Sequence, residues 1–304
     1  RDNLVKHSGH EGHGPAANLE VDMEATLYTT HSYNASSVQA LPNMRIRISG
    51  TDYYTDGSGH LTTPITSAAS GNFFLDGLWS TVKTNNQTPS YTKSLIAGPN
   101  TESFDFDAAI QQRSAYFHVN TVHDYMKAKI PTFTGMDFSL TTNVDDNSGT
   151  CNAYYNGSSI NFYADGGGCL TYANVADVVY HEYGHGINDN FYSSLGSSFQ
   201  NGAVGEGYAD VWGFAITENP ILGVGGSDSD PNAYIRRYDI DPKVYPSDIV
   251  GEVHADGEII AGAWWDLYLN LGNNMNAMQV CKYQCCTKSG QVLIGLQVDY
   301  CDFY

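Results

Sequence analysis

The sequence predicts an α+β chain, strand-rich in its first third and mostly helical after that. Two observations predict this. Met44-Arg45-Ile46-Arg47-Ile48 alternates apolar and polar residues with the period of a half-buried strand. Ala109, Ile110, Tyr116, Phe117, Val119, Val122 and Tyr125 instead recur with helical spacing.

In chain order, residues 1–18 are rich in Gly, His and Asn, with His7, His10 and His13 at intervals of three. They read as a flexible tail. Residues 19–97 are expected to form a small β-sandwich-like accessory domain, punctuated by the turn signals Asp56-Gly57 and Asp76-Gly77 and carrying the apolar strand Phe73-Phe74-Leu75. Segment 83–101 reads as the linker to a second domain, 98–304. There a helix is expected over Asp105 to Lys129, stopped by Pro131. Asn152 to Tyr155 and Ser159 to Tyr163 read as strands of a hairpin around Asn156-Gly157. Three further helices are expected, from Asn174 to Asn188, Asn201 to Ile216 and Gly257 to Leu271. Trp264 and Trp265 on the last one are expected to pack in the core.

The 304 residues carry 33 acids against 14 bases, a formal net charge of −19. That balance argues against nucleic acid or an anionic membrane surface as partner. No stretch is apolar for long enough to span a bilayer. The sequence opens on Arg1 with neither an initiator Met nor a signal peptide, as expected of a mature form after removal of upstream sequence or of a chosen piece of a longer chain. Cysteines stand at 151, 169, 281, 285, 286 and 301. Cys281, Cys285, Cys286 and Cys301 lack the paired spacing of a metal site, so disulfides and an extracellular setting are expected. Cys151 with Cys169 is the expected pair, a crosslink worth on the order of 3 kcal/mol in the chain-entropy picture. The pairing of the other four is open.

The most informative segment is His181-Glu182-Tyr183-Gly184-His185, followed by Gly205-Glu206-Gly207-Tyr208-Ala209-Asp210. On a helix, positions i and i+4 share a face, so His181 and His185 can present two imidazoles to one metal ion. Glu206, from a second helix, would be the third ligand. Two histidines, one carboxylate and an open position describe a catalytic zinc site rather than a closed structural one. Glu182 is then the general base, and Asp210 can accept a hydrogen bond from a ligand histidine's other nitrogen. Asp228-Ser229-Asp230 and Asp145-Asp146 are thin candidates for Ca2+, with solvated loops the simpler reading.

Together these residues resemble the thermolysin-like and fungalysin-like zinc metallopeptidases, over roughly Phe104 to Leu271. The resemblance implies a two-lobed fold, a mixed N-lobe with an edge strand and a helical C-lobe, here preceded by the β-domain. Asn152-Ala153-Tyr154-Tyr155-Asn156-Gly157-Ser158 is similar to the family's edge strand, which implies that Asn152 and Ala153 hold extended substrate. Tyr116 to Asp124 is similar to the N-lobe helix, where packing or polar roles are expected for His118 and His123. Gly251-Glu252-Val253-His254 resembles the segment that supplies a transition-state histidine, His254. Arg236-Arg237 resembles the segment with a substrate-binding arginine, and either residue fits. By the same resemblance Asp210 orients His181. Phe199 stands where the family carries an oxyanion-binding Tyr, and the C-terminal lobe is expected to be shortened or cut at Tyr304.

These readings imply a secreted, extracellular zinc endopeptidase made as a zymogen, a monomer whose partners are peptides or proteins and neither nucleic acid nor membrane. Zinc lowers the pKa of bound water to about 7, Glu182 accepts the proton, and His254 steadies the developing oxyanion. Cleavage is expected on the amino side of hydrophobic residues, selected by a pocket for which Val178, Val179, Ile187 and Phe199 are candidates. A binding or adhesion protein with an inactive peptidase domain, and an aminopeptidase, are the competing readings. The complete set His181, Glu182, His185 and Glu206 argues against the first. The lack of a signal for capturing a terminal amine argues against the second.

Overall fold

A computed structural model describes residues 17–199 and 201–274. His7, His10, His13 and the four C-terminal cysteines lie outside the described residues, as does nearly all of the expected tail.

Strand β1 (Leu19–Leu27) shows how the first third folds. Leu19, Val21, Met23, Ala25 and Leu27 are buried while the residues between them are not, the period of two that puts one strand face in a core. It pairs in parallel with β9 (Gly98–Ser103) and antiparallel with β2 (Ser37–Ala40) and β5 (His60–Thr62). The other strands of this region are β3 (Met44–Ile48), β4 (Thr51–Tyr54), β6 (Ala69–Gly77), β7 (Ser80–Lys83) and β8 (Ser90–Leu95). They join β10 (Leu140–Asp146), β11 (Ala153–Tyr155) and β12 (Ser159–Tyr163) in an eight-stranded sheet. Its order is β11-β12-β10-β7-β6-β3-β4, with β8 also on β6, so β11 lies at one end.

This corrects two expectations. The linker expected over 83–101 contains strands β8 and β9, whose pairings with β6 and β1 use up the backbone groups that an exposed linker would leave to water. The division at 97/98 also falls inside one sheet and one core. β7 pairs in parallel with β10 from Leu140↔Ser80 to Asn143↔Lys83. Leu19, Phe73, Val122 and Val179 share the same hydrophobic cluster. The region before residue 97 is β-rich as expected, but its inward face is covered by helix α1 (Ile110–Lys129). Tyr116 donates to the Pro42 carbonyl at 2.8 Å, and the Tyr28 N–H reaches Ser114 Oγ at 3.1 Å. Alternation in a sequence tells which residues face inward, not which element covers them.

α1 starts without a polar cap residue. Gln112 Oε1 instead takes the Ala109 N–H at 2.8 Å, and the helix ends just before Pro131. Its two histidines pack. His118 Nδ1 lies 3.0 Å from the Tyr180 hydroxyl and Nε2 2.9 Å from the Tyr28 carbonyl, and burial pushes it down to about 4. His123 stacks on Trp79 with 3.7 Å between ring centres.

Three further α-helices follow among the described residues: α2 (Ala176–Ser194), α3 (Gly202–Thr217) and α4 (Val253–Asn270). Trp265 is buried in a second, smaller cluster with Phe214, Tyr238 and Tyr268, and Trp264 packs against it. Two glycines let α3 and α4 meet backbone to backbone. A Cβ on Gly207 would lie 1.9 Å from Ile260 Cγ2 and 2.5 Å from the Gly257 carbonyl oxygen. One on Gly257 would lie 2.9 Å from the Ala203 oxygen. Gly205, two residues earlier, faces open space.

Gly207→Ala is therefore expected to destabilise the fold by about 1–3 kcal/mol, the usual scale of overpacking. Gly205→Ala should be neutral or stabilising by up to about 1 kcal/mol through helix propensity. Denaturant midpoints of the two variants check this, and equal midpoints would contradict the close approach.

Candidate active site

α2 carries His181 and His185 one turn apart, and α3 brings Glu206 across to them. The two Nε2 atoms stand 3.1 Å from each other, and Glu206 Oε2 lies 3.3 Å from His181 Nε2 and 3.5 Å from His185 Nε2. Among the described residues this is the one cluster of three ligand-type His, Cys, Asp or Glu side chains. The acidic pairs Asp145-Asp146 and Asp228-Ser229-Asp230 do not form such a cluster. Asp145 is held by Gln111, and Asp146 by Ser148 and Tyr154.

The donor set fits zinc. His181 presents Nδ1 to Asp210 Oδ1 at 2.6 Å, so in the neutral ring the proton belongs on Nδ1 and Nε2 keeps its lone pair. Three electron-rich atoms converging at these distances repel one another unless a cation lies among them. Ligands about 2.0–2.1 Å from a tetrahedral zinc stand about 3.3–3.4 Å apart, which matches the separations found here. Without a cation the cluster binds protons instead. Burial lowers the His181 pKa, but Asp210 and Glu206 raise it more, to about 10. Burial likewise raises Glu206, and the two histidines beside it hold it far below the usual carboxylate range.

Behind the cluster lies a buried carboxylate. Asp210 accepts Arg236 Nε at Oδ2 and Arg236 Nη2 at Oδ1, both at 2.7 Å, and the Tyr238 hydroxyl donates to Oδ2 as well. Burial raises the Asp210 pKa, yet Arg236 and His181 hold it well below the ordinary value. Arg236 and Tyr238 stand at i and i+2 on an extended segment, β14 (Arg236–Arg237) and the residue after it. Both therefore lie on one side of the chain, toward Asp210. Sequence reasoning missed Tyr238, although the i, i+2 spacing was there to be read. Of the two arginines left open by the sequence, Arg236 lies on the cleft. Arg237 turns away to Asp239, with 2.7 Å from both Nε and Nη2, because the same alternation puts it on the opposite side.

Glu182 follows His181 on α2, is buried, and lines the cleft with His181 and His254. Burial raises its carboxyl above the ordinary range, against the pull of His181 and His185. His254 sits in the first turn of α4, half exposed, with Nε2 3.5 Å from Glu206 Oε2. Glu252 holds its other nitrogen at 2.7 Å and caps the helix by accepting the Ala255 N–H at 2.8 Å. Asn152 and Ala153 form the opposite wall. Among the described residues β11 pairs with β12 alone, from Ala153↔Phe162 to Tyr155↔Ile160, and no described strand pairs with its other edge. The apolar lining differs from the expected one. Val178 is joined by Tyr172, Leu222 and Ile235. Val179 and Ile187 are buried in the main core, and Phe199 packs on Tyr192 and Tyr208. Helical periodicity marks a buried face but does not say which part of it borders a cleft.

Asp210→Asn keeps the shape but loses the charge that steadies the His181 imidazole. It is expected to weaken zinc binding by about 10–100-fold. Competition against a chromophoric chelator measures this directly, and an unchanged affinity would contradict the role given to Asp210.

Comparison with known proteins follows the same line. The family model described as the thermolysin metallopeptidase catalytic domain matches residues 47–189. The match runs from β3 through the His181-Glu182-x-x-His185 helix. No protein with a curated functional description matches the sequence. Among solved structures, the chain is similar to the precursor of protealysin, a metalloproteinase from Serratia proteamaculans. The identity is 15% and the TM-score 0.43, over 88% of this chain and 72% of that one. That family uses zinc, and over 47–189, where the His181-Glu182-x-x-His185 helix of the His-His-Glu cluster lies, the chain is similar to the thermolysin-like metallopeptidases.

Proposed function

We propose that the chain is a secreted zinc endopeptidase that cuts extended peptides on the amino side of hydrophobic residues. One observation carries the reading. His181, His185 and Glu206 converge beside Glu182 and His254, in a cleft walled by the edge strand β11. The Cys151–Cys169 disulfide fits an oxidising, extracellular compartment.

His181, His185 and Glu206 would hold the zinc, which supplies a Lewis acid that acidifies water and polarises a carbonyl. The chain's own residues do the rest. Peptide substrate adds to β11 as a further strand through backbone groups at Asn152 and Ala153, which gives affinity with little side-chain selectivity. Arg236 spends Nε and Nη2 on Asp210 and meets a substrate carbonyl with its remaining N–H groups. Glu182 accepts a proton from the attacking water and returns it to the leaving amine, a task that its raised pKa suits. His254, aimed by Glu252, donates to the oxyanion as it develops.

Glu182→Gln should keep its zinc and lose nearly all turnover, since size and ligands are preserved while the base is gone. His254→Ala should lower kcat by roughly a hundredfold with substrate binding largely intact. Casein digestion with and without a chelator, with zinc content measured alongside, tests both. A fully active Glu182→Gln enzyme would remove the mechanism.

Val178, Leu222, Ile235 and Tyr172 give the cleft an apolar wall. A hydrophobic pocket discriminates by only about 1–3 kcal/mol per methylene-scale change, so preference rather than strict selection is expected. Sequencing the peptides released from an unfolded protein should find cuts before Leu, Ile, Val and Phe. Cuts confined to chain ends would point to an exopeptidase instead.

A further inference from the structure

The proposed reaction uses Asn152 and Ala153 but leaves unexplained what holds them in place. β11 is three residues long and hydrogen-bonds to one neighbouring strand. Asn152, just before it, is exposed. Residue 151 has φ +55°, a left-handed conformation that side-chain-bearing residues adopt only when their surroundings hold them there. So short a strand, entered through so unfavourable a turn, has little of its own to fix it.

The restraint comes from the loop that follows β12. Cys151 is bonded to Cys169, and Cys151 itself lines the cleft beside Asn152. Gly166, Gly167 and Gly168, all at positive φ, fold the chain back so that Cys169 can reach it. A Cβ on Gly167 would lie 2.6 Å from Thr150 Oγ1 and 3.5 Å from Cys151 Sγ, so this return is packed directly against the start of the edge. The Cys169 side is anchored in turn. Cys169 bridges to Ser227, and the Leu170 N–H donates to the Gly226 carbonyl at 2.9 Å. The Thr171 N–H donates to Asp165 Oδ1 at 2.6 Å, and the next residue, Tyr172, belongs to the apolar wall. The crosslink thus joins the backbone-binding edge to the selecting wall.

We propose that Cys151 and Cys169 are positioning residues for substrate. Their bond presets the spacing between the Asn152–Ala153 edge and the Tyr172 wall, so that an extended peptide meets a preformed slot. Neither sulfur touches the reacting atoms, and the metal cluster sits on α2 and α3, outside the crosslinked loop. Losing the bond should therefore act on substrate binding rather than on the chemical step or the zinc.

This inference rests on the peptidase reading above, and the experiment separates the two. The native enzyme and a Cys151→Ser/Cys169→Ser variant are compared on one extended fluorogenic peptide, with zinc content and melting temperature measured on the same samples. The native protein treated with a trialkylphosphine serves as a second test, with the Cys151→Ser/Cys169→Ser variant treated in parallel to subtract any effect of the phosphine on Cys281, Cys285, Cys286 and Cys301. The phosphine breaks the S–S bond to two thiols and is itself oxidised to the phosphine oxide, with oxygen from water. In both cases KM should rise by roughly tenfold, the cost of ordering the edge at binding, while kcat changes less than about threefold and zinc stays stoichiometric. An unchanged KM without the bond would overturn the proposal. So would loss of zinc together with activity, since the crosslink would then support the metal helices rather than the substrate edge. A native enzyme that cleaves no peptide would overturn the peptidase reading itself, and this one with it.

Discussion

The buried carboxylate of Asp210 is the constraint around which the site is organised. A charge fully removed from water is tolerated only when it is paired and its lone pairs are occupied. Here one oxygen serves His181 Nδ1 and Arg236 Nη2, and the other serves Arg236 Nε and the Tyr238 hydroxyl. Those partners come from α2, from β14 and from the residue after it, while Asp210 belongs to α3. One side chain thereby sets the rotation of the His181 imidazole, the height of the cleft arginine and the docking of the segment that leads to α4. Removing any partner leaves a buried group short of a hydrogen bond, which costs more than an ordinary surface contact would.

The same logic explains what the sequence revealed. His181 and His185 were legible because a helix puts i and i+4 on one face, and Glu206 and Asp210 because the same period applies on α3. These are local rules: α3 (Gly202–Thr217) keeps its expected limits to within a residue, while α2 (Ala176–Ser194) runs on past the expected end at Asn188. Asn156-Gly157 likewise marks a hairpin, with Gly157 at φ +92°. What was not legible is non-local. No period in residues 19–97 says that β7 takes β10 as its parallel partner 60 residues on, or that α1 covers the face of β1. A strand pattern with one apolar face looks the same in a separate sandwich and in a shared sheet. The linker reading failed for a related reason: Thr, Asn, Gln and Pro in 83–89 do form a turn, but Ser90–Leu95 and Gly98–Ser103 regain strand pairing from β6 and β1.

The choice between Arg236 and Arg237 shows how little separates the legible from the illegible. Both are cationic and adjacent, and composition cannot rank them. A strand's period of two puts one toward Asp210 and the other toward Asp239, yet which is which depends on the register against β13 (Ile221–Leu222), set by Leu222↔Arg236. Tyr238, on the Arg236 side, then falls where its hydroxyl can complete Asp210. Had the register slipped by one residue, Arg237 would face the cleft and Asp239 would replace the Tyr238 hydroxyl, setting a second carboxylate against Asp210.

Across the cleft the physical problem is reversed. Asp210 and its partners are over-determined by charge and burial, whereas an edge that takes substrate in the proposed way would need unpaired backbone and so could not be held by pairing. An edge strand with both sides satisfied would bind nothing. The chain meets this by fixing β11 from its end and its back rather than its open side. β12 pairs one edge, Tyr155 packs near Gly186 of the metal helix, and the Cys151–Cys169 bond holds the entry to the strand. His254 occupies the intermediate case, half exposed yet aimed by Glu252, which also caps α4. The groups that hold charge are thus buried and cross-braced, and those that would receive a peptide in the proposed function are tethered only where the tether leaves their donors and acceptors free.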